Sequence, residues 1–213
     1  MSKQVIVVDY QLGNVFSVME ACRYVGLNVT HSRDPDQFES ADALILPGVG
    51  AFGDAMESLQ KLGLDKALRR WSDQQRPLMG ICLGMQLLFE ESTEFGHHSG
   101  LSLIPGTVER LPSVTQAGSK LRVPKVGWSP VQLSQGFASS ELAKGIDGSA
   151  DFYFVHSYYA KPASLDDVAA TCCHGDFSYC CAVRRGGTFA TQFHPEKSSE
   201  VGITLLRNFG SML

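Results

Sequence analysis

The sequence shows no excess of positive charge and no long apolar run. Its 213 residues include 18 Lys and Arg against 22 Asp and Glu, which gives a formal net charge of -4. The basic residues form no stripe or cluster, which argues against a nucleic-acid partner. The apolar stretches are short and are interrupted by charged residues, Gly or Pro, so we expect no membrane span.

The chain also lacks a signal-peptide pattern, a linker and an internal repeat. Residues 1–5 lead directly into a strand-like segment, without the apolar stretch of a secretory signal. We therefore expect a cytoplasmic protein. With 44% hydrophobic and 19% charged residues the chain can bury a full core. Its length suits a single domain over residues 1–213.

Six cysteines in a cytoplasmic chain of this size favour free thiols over a disulfide framework. Two doublets, Cys172-Cys173 and Cys180-Cys181, raise the alternative of a metal site. Neighbouring side chains on a strand point to opposite faces, so one doublet does not readily present both thiolates to one ion. We interpret the doublets as ordinary strand cysteines and Cys22 as a core residue, and we expect no metal site.

The first half of the chain alternates strand and helix patterns. The β-branched run at 4–9 is typical of a strand buried on both faces of a parallel sheet. Further strands are predicted at 28–32, 43–46 and 78–81, and helical spacing appears at 15–25 and on both sides of Gly63. This rhythm predicts an α/β fold with a mostly parallel sheet.

The second half has a different pattern. Residues 107–133 are rich in Pro, Gly and Val and predict short antiparallel strands or loops. Strands are predicted at 152–158, 168–173, 179–184 and 188–192, with turn residues between them. A last helix is predicted from Ser199, because apolar residues then recur at helical spacing.

A candidate nucleophile lies where the strand at 78–81 meets a helical pattern. Gly80-Ile81-Cys82-Leu83-Gly84 is a nucleophile elbow with cysteine in place of serine. A sharp strand-to-helix turn strains the nucleophile, and side chains two residues away would crowd it. The helix N-terminus favours a thiolate, and the Leu83 amide is a natural oxyanion donor. The alternative is a small buried cysteine between glycines that permit close packing.

A candidate base follows the last predicted strand, in the segment TQFHPEK at 191–197. In extended chain His194 and Glu196 share a face, so the carboxylate could orient the imidazole while its other nitrogen takes the thiol proton. Such a pair is more often solvated on a surface, but this one lies at the strand end where α/β sites gather. His156 is a rival base without an acidic neighbour.

Five segments together resemble a known family. They read LPGVGAFGDAM at 46–56, GICLGMQLLF at 80–89, VPKVGW at 123–128, YFVHSYY at 153–159 and TQFHPEKS at 191–198. In this order they resemble the class I, triad-type glutamine amidotransferases along essentially the whole chain. Within these they are most similar to the glutaminase subunits of imidazole glycerol phosphate synthases. The resemblance implies a flavodoxin-like α/β sheet with helices on both faces and an added antiparallel region.

The resemblance also implies residue roles. Cys82, His194 and Glu196 would form the triad, with the amides of Val49 and Leu83 as oxyanion donors. The implied glutamine-binding residues are Gly48, Gly50, Gln86, Glu94, Ser157 and Tyr158. Asn14 and Lys197 would face the partner. From spacing alone, Gln86 and Glu94 could equally face solvent.

The implied partner is a (β/α)8-barrel cyclase, in a heterodimer that uses L-glutamine and needs no metal or other cofactor. Ammonia would pass to the cyclase, which makes imidazole glycerol phosphate and AICAR in histidine biosynthesis. The chain departs from the family at Gln11, where Gly is common. The alternatives are a paralogous branch serving sugar amidination, a cysteine hydrolase of the broader superfamily, and a non-catalytic regulatory subunit.

Overall fold

The structure, a computed structural model, describes residues 3–213. The strands are β1 Gln4–Val8, β2 Asn28–Ser32, β3 Ala43–Leu46, β4 Leu78–Ile81, β5 Glu91–Ser92, β6 His98–Ser99, β7 Gly106–Arg110, β8 Lys125–Leu133, β9 Asp151–His156, β10 Tyr158–Pro162, β11 Val168–His174, β12 Phe177–Arg185 and β13 Thr188–Thr191. The helices are α1 Val15–Tyr24, α2 Phe52–Lys61, α3 Leu64–Asp73, α4 Leu83–Leu87, α5 Gln135–Ala138 and α6 Ser199–Ser211. Short 3-10 turns include Pro195–Lys197.

The sheet has a parallel part and an antiparallel part. Strands β2, β1, β3, β4 and β13 lie side by side in that order, all pairing in parallel. Beyond β13 the neighbours β12, β10 and β7 pair antiparallel, and β11, β8 and β9 branch from β12. The predicted mostly parallel α/β sheet with an added antiparallel region is confirmed.

Helices cover both faces of the parallel strands because alternate residues of each strand point to opposite sides. Val5 and Val7 belong to one apolar cluster, which contains residues of α1 and α6. Ile6 and Val8 belong to a second cluster, which contains residues of α2, α3 and α4. Within residues 3–213 no helix has both the length and the apolar composition needed to cross a bilayer.

The single strand predicted at 152–158 is wrong, because the chain breaks at Ser157 into β9 and β10. The two strands have different partners: β9 pairs with β8, whereas β10 pairs with β7 and β12. The region 107–133 contains β7 and also the nine-residue β8, which is longer than predicted. Ser157, at the break, therefore lies where two parts of the sheet meet.

The cysteine doublets are split between faces. Cys172 is buried and Cys173 exposed, while Cys180 and Cys181 are both buried but belong to different apolar clusters. Neither doublet therefore presents two sulfurs on one side of a strand. Cys22 is fully buried in α1, as predicted.

Candidate functional site

Cys82 occupies the sharp turn between β4 and α4. Its backbone has φ 56° and ψ -113°, a strained conformation for a residue with a side chain. The flanking glycines allow this turn. A Cβ on Gly84 would overlap the Leu46 carbonyl oxygen, and one on Gly80 would lie 2.9 Å from Ala190 Cβ. The Gly-x-Cys-x-Gly spacing is thus required by close packing on both sides of the turn.

His194 and Glu196 form a buried pair beside Cys82. His194 Nδ1 lies 2.8 Å from Glu196 Oε1, and the two side chains are only 2% and 1% exposed. The alternative of a solvated surface pair is therefore wrong. Burial alone would lower the pKa of His194, but the neighbouring Cys82 sulfur and Glu196 carboxylate raise it to about 10.

The second nitrogen of His194 is poised to exchange a proton. Within residues 3–213, Nε2 makes no hydrogen bond of good geometry, although the Cys82 sulfur is close enough to raise the pKa of the ring. The Cys82 thiol and the His194 imidazole are therefore close neighbours, although no hydrogen bond of good geometry joins them. An imidazole held at Nδ1 and free at Nε2 can accept the thiol proton.

His156, the rival base, is fully engaged within the protein. Its Nδ1 lies 2.8 Å from the Tyr158 carbonyl oxygen and its Nε2 lies 3.1 Å from the Tyr179 hydroxyl. Burial, reinforced by the positive charge of Lys125, lowers the pKa of His156 to about 3. At neutral pH it is an uncharged imidazole with both nitrogens occupied, so it lacks a free nitrogen for base catalysis.

A cavity of about 290 Å³ opens in front of Cys82. Predicted site residues in its wall are Val49, Gly50, Cys82, Leu83, Gln86, Glu94, Ser157, Tyr158 and His194. Gly48 does not line it. A Cβ there would overlap the Tyr10 hydroxyl and approach Leu83, so this glycine permits packing beneath the cavity.

Gln86 and Glu94 do not simply face solvent. Gln86 is 5% exposed, and its Nε2 donates to Tyr158 O at 3.0 Å and to Gln192 Oε1 at 2.9 Å. Glu94 is half-buried, and its carboxylate accepts from the Phe52 N–H at 2.7 Å, at the start of α2. Burial raises the pKa of Glu94, and the Phe52 N–H partly opposes this shift.

Comparison with known proteins identifies the family of the chain. The family model of class-I glutamine amidotransferases matches residues 6–212. The chain belongs to this family. It is 44% identical over 209 residues to the imidazole glycerol phosphate synthase subunit HisH of Syntrophotalea carbinolica, covering 98% of this chain and all of the relative. It is also 44% identical to the protein of that name from Moorella thermoacetica, covering 99% and 96%.

Solved structures share the fold of this amidotransferase. A crystal structure of a glutamine amidotransferase superimposes with a TM-score of 0.72 at 22% identity, covering 96% of each chain. The structure of PurLQS from Thermotoga maritima gives 0.74 at 15% identity, covering 100% of this chain and 99% of that one. At these identities the likeness establishes the architecture alone.

The backbone carbonyls of Ser157 and Tyr158 are already used within the amidotransferase domain. Ser157 O accepts from Leu111 N at 2.9 Å, while Tyr158 O accepts from both Gln86 and His156. The break between β9 and β10 turns these residues toward the cavity. A ligand that bonds to either carbonyl oxygen would therefore do so alongside the hydrogen bonds that hold the cavity wall in place.

The two predicted partner residues lie outside this cavity. Asn14 caps α1, accepting from Ser17 N at 3.3 Å, and lines a separate hollow of about 670 Å³ beside the exposed Phe16. Gln11, the departure from the family turn, lines the same hollow at φ 73°, a conformation that favours glycine. Lys197 is exposed and follows directly on the His194–Glu196 pair.

Gln192 is a site residue that sequence reasoning missed. It is fully buried, and its Nε2 lies 3.7 Å from Cys82 Sγ. One signal was present: Gln192 and His194 are two residues apart, which places both on one side of an extended segment. Pro124 and Val155 also line the cavity, and nothing in their residue type indicated it.

Proposed function

We propose that this chain is the glutaminase subunit of an imidazole glycerol phosphate synthase and acts in histidine biosynthesis. The observation that carries this is the convergence of Cys82 and His194 at one cavity, with Glu196 bonded to His194 and the cysteine on a strained strand-to-helix turn. Relatives with that name match along nearly the whole chain at 44% identity. The cavity and its neighbouring groups suit hydrolysis of an amide by a cysteine nucleophile.

In the proposed reaction the Cys82 thiolate attacks the side-chain amide carbon of glutamine. A C–S bond forms, the C–N bond breaks, and protonated His194 gives its proton to the departing ammonia. Water, deprotonated by His194, then attacks the γ-glutamyl thioester and releases glutamate and the cysteine. Glu196 keeps the imidazole oriented through Nδ1. The sum is glutamine and water giving glutamate and ammonia, without a metal or other cofactor.

The tetrahedral intermediates carry a negative oxygen, which two backbone amides would stabilise. Leu83 begins α4 directly after the nucleophile, and Val49 lines the same cavity. One such donor contributes about 3 kcal/mol to the lowering of a barrier. We assign the polar ends of glutamine to Glu94, Ser157 and Tyr158, with Gln86 at the base of the cavity.

The ammonia needs a protected route, because in water at neutral pH most of it becomes non-nucleophilic ammonium. We propose direct transfer to a (β/α)8-barrel cyclase in a cytoplasmic heterodimer. The cyclase completes a lyase reaction that gives imidazole glycerol phosphate and AICAR. Asn14 and Lys197 are the proposed partner contacts, and the exposure of Lys197 next to the triad suits that role.

Val49 suggests how the partner controls hydrolysis. It lies between two glycines, Gly50 has φ 103°, and a Cβ on Gly50 would meet nothing within 4 Å. The Val49 N–H belongs to the peptide unit between Gly48 and Val49, and rotation of a peptide unit next to a glycine has a low steric cost. We propose that docking turns the Val49 N–H into the cavity, which stabilises the transition state and raises kcat more than it lowers KM.

Steady-state glutaminase kinetics test this proposal on the chain alone, with the cyclase, and with the cyclase plus an acceptor analogue. We expect kcat to rise at least about tenfold with partner and analogue. Gly50→Ala should reduce this activation, because its φ resists a side chain. Gly26→Ala is the matched control, since Gly26 also has a positive φ and open space but lies just after the end of α1, outside the cavity.

Three outcomes would count against the proposal. Full turnover by the chain alone would contradict gating of Val49 and leave the triad intact. Activation by a sugar-amidinating synthase instead of the cyclase would assign the chain to the paralogous branch. Absence of hydrolysis under every condition would favour a non-catalytic regulatory subunit.

A further inference from the structure

Three side chains form a buried chain of amide contacts behind the nucleophile. Gln86 Nε2 donates to Tyr158 O and to Gln192 Oε1, and Gln192 Nε2 reaches the Cys82 sulfur at 3.7 Å. Gln86 and Gln192 are 5% and 0% exposed. Packing alone does not explain a buried amide in contact with a reactive sulfur, because an apolar side chain would fill the same space without the cost of burying a polar group.

The orientation of the Gln192 amide is fixed by its neighbours. Both hydrogens of Gln86 Nε2 are used, one on Tyr158 O and one on Gln192 Oε1. Since the oxygen of Gln192 must face Gln86, its NH₂ group must face Cys82. The backbone is also held, because Gln192 N donates to Cys181 O at 2.8 Å and Thr191 O accepts from Cys82 N at 2.7 Å.

We propose that Gln192 is a positioning residue for the nucleophile: its side-chain N–H holds the Cys82 sulfur, and Gln86 holds Gln192. An N–H donor stabilises a thiolate more than a thiol, because the bond to a charged acceptor is stronger. It also fixes the side-chain rotamer from which the sulfur attacks. Gln86 then acts on the chemistry through Gln192, with only its carbonyl oxygen left for a ligand.

This inference rests on the proposed role of Cys82 but is tested independently of glutamine. The probe is iodoacetamide, which reacts with the thiolate, and the rate of alkylation of the full chain is measured from pH 5 to pH 10. A Cys173→Ser background removes the exposed cysteine, and the remaining four besides Cys82 are buried. Peptide mapping by mass spectrometry confirms that Cys82 is the labelled site.

Two substitutions separate charge from packing. Gln192→Met keeps the length and removes the N–H, so the inflection of the Cys82 profile should rise by about one pH unit. Gln192→Glu keeps an acceptor for Gln86 but places a carboxylate beside the sulfur, so its inflection should rise further. Gln132→Met makes the same chemical change at an exposed position of β8 and should leave the inflection unchanged.

A double-mutant comparison tests the link to Gln86. Gln86→Met should raise the inflection by less than Gln192→Met, and adding Gln86→Met to Gln192→Met should change it little further. Circular dichroism and thermal melting establish that each variant is folded. If folded variants keep the wild-type inflection, the proposal is wrong; additive shifts would show that Gln86 acts independently of Gln192. The glutaminase activity of Cys82→Ala tests the proposed function alone. The alkylation profiles of the Gln192 and Gln86 variants test the positioning role, so either proposal can fail without the other.

Discussion

The proposed mechanism gives His194 and Glu196 different roles in one proton transfer. In the proposed mechanism His194 moves the proton, whereas Glu196 orients the ring through a 2.8 Å bond and contributes to its raised pKa. His194→Asn should reduce glutaminase kcat/KM of the activated complex by about 10³, the middle of the range for a general base. Glu196→Gln should cost less, roughly ten- to a hundredfold, because the base itself remains.

NMR titration of the His194 ring provides the accompanying measurement. In Glu196→Gln the pKa of His194 should fall, since a carboxylate that favours the imidazolium has been replaced by a neutral amide. Equal kinetic losses in the two variants, or an unchanged His194 pKa, would show that the roles are assigned wrongly.

His156 makes stability depend on pH in a predictable direction. Its folded-state pKa of about 3 lies below the ordinary 6.5, so its contribution is complete above pH 6.5 and is lost as pH falls toward 3. Between pH 7.5 and 5.5 this group should cost the wild type about 1.4 kcal/mol in free energy of unfolding. His156→Gln, which can still bond to Tyr158 O and the Tyr179 hydroxyl, should lose that much less over the same interval.

Denaturant unfolding of the two proteins at both pH values provides the test. The raised pKa of His194 acts in the opposite direction, but His194 is present in both chains, so the difference between them isolates His156. An identical pH response in the two proteins would mean that His156 is not held neutral in the folded state.

At the residue scale the sequence indicated Cys82, His194 and Glu196 as candidate catalytic residues, from motif spacing and from their positions at the ends of predicted strands. It did not indicate Gln192, because its environment depends on two bonds to residues far away in sequence, Gln86 and Cys82. Nor could it decide against His156, because one of its two hydrogen bonds goes to Tyr179, which is 23 residues away in sequence on β12. Local periodicity carries no information on such long-range partners.

At the scale of one element, the β4–α4 turn requires glycine at two positions, Gly80 and Gly84. Replacing each by alanine tests that requirement. A Cβ on Gly84 would overlap backbone at Leu46, which cannot move without shifting β3. Gly84→Ala should therefore lower the free energy of unfolding by about 3 kcal/mol or more, measured by denaturant unfolding. Gly80→Ala should cost less, because a side-chain atom of Ala190 is the nearest contact.

Gly136→Ala is the matched control for this comparison. Gly136 lies in α5, has no positive φ and has nothing within 4 Å of an added Cβ. Alanine there should be neutral or stabilising by about 0.5 kcal/mol, because it favours helix. If Gly84→Ala were as mild as Gly136→Ala, the turn would be looser than the structure shows.

Elements with strong local patterns were predicted well, and those defined by distant pairing were not. β2, β3 and β4 have the predicted bounds, and β3 and β4 are short apolar runs that are buried throughout. The segment 152–158 reads as one continuous strand, yet it divides at Ser157 because β9 and β10 pair with different strands. That division turns Ser157 and Tyr158 toward the cavity, so the missed detail belongs to the site.

For the whole molecule, alternating strand and helix patterns predicted the parallel sheet. The strand patterns of the second half, together with the family resemblance, predicted the antiparallel extension. A single domain over residues 1–213 stays a prediction. The parallel strands bring the ends of β3, β4 and β13 to one edge, where Val49, Cys82 and His194 meet. Sites gather at that edge in open α/β sheets. The fold therefore explains why residues distant in sequence share one cavity.

The most direct measurement compares two nitrogen sources in the complex with the cyclase. Cys82→Ala should abolish glutamine-dependent synthesis, by at least about 10³, yet leave synthesis from added ammonium salts at the wild-type rate. The reason is that, in the proposed function, Cys82 only releases ammonia and the partner consumes it. Retained glutamine-dependent activity in this variant would contradict Cys82 as the nucleophile, and loss of the ammonium-dependent activity as well would mean that Cys82 is needed for the structure of the complex.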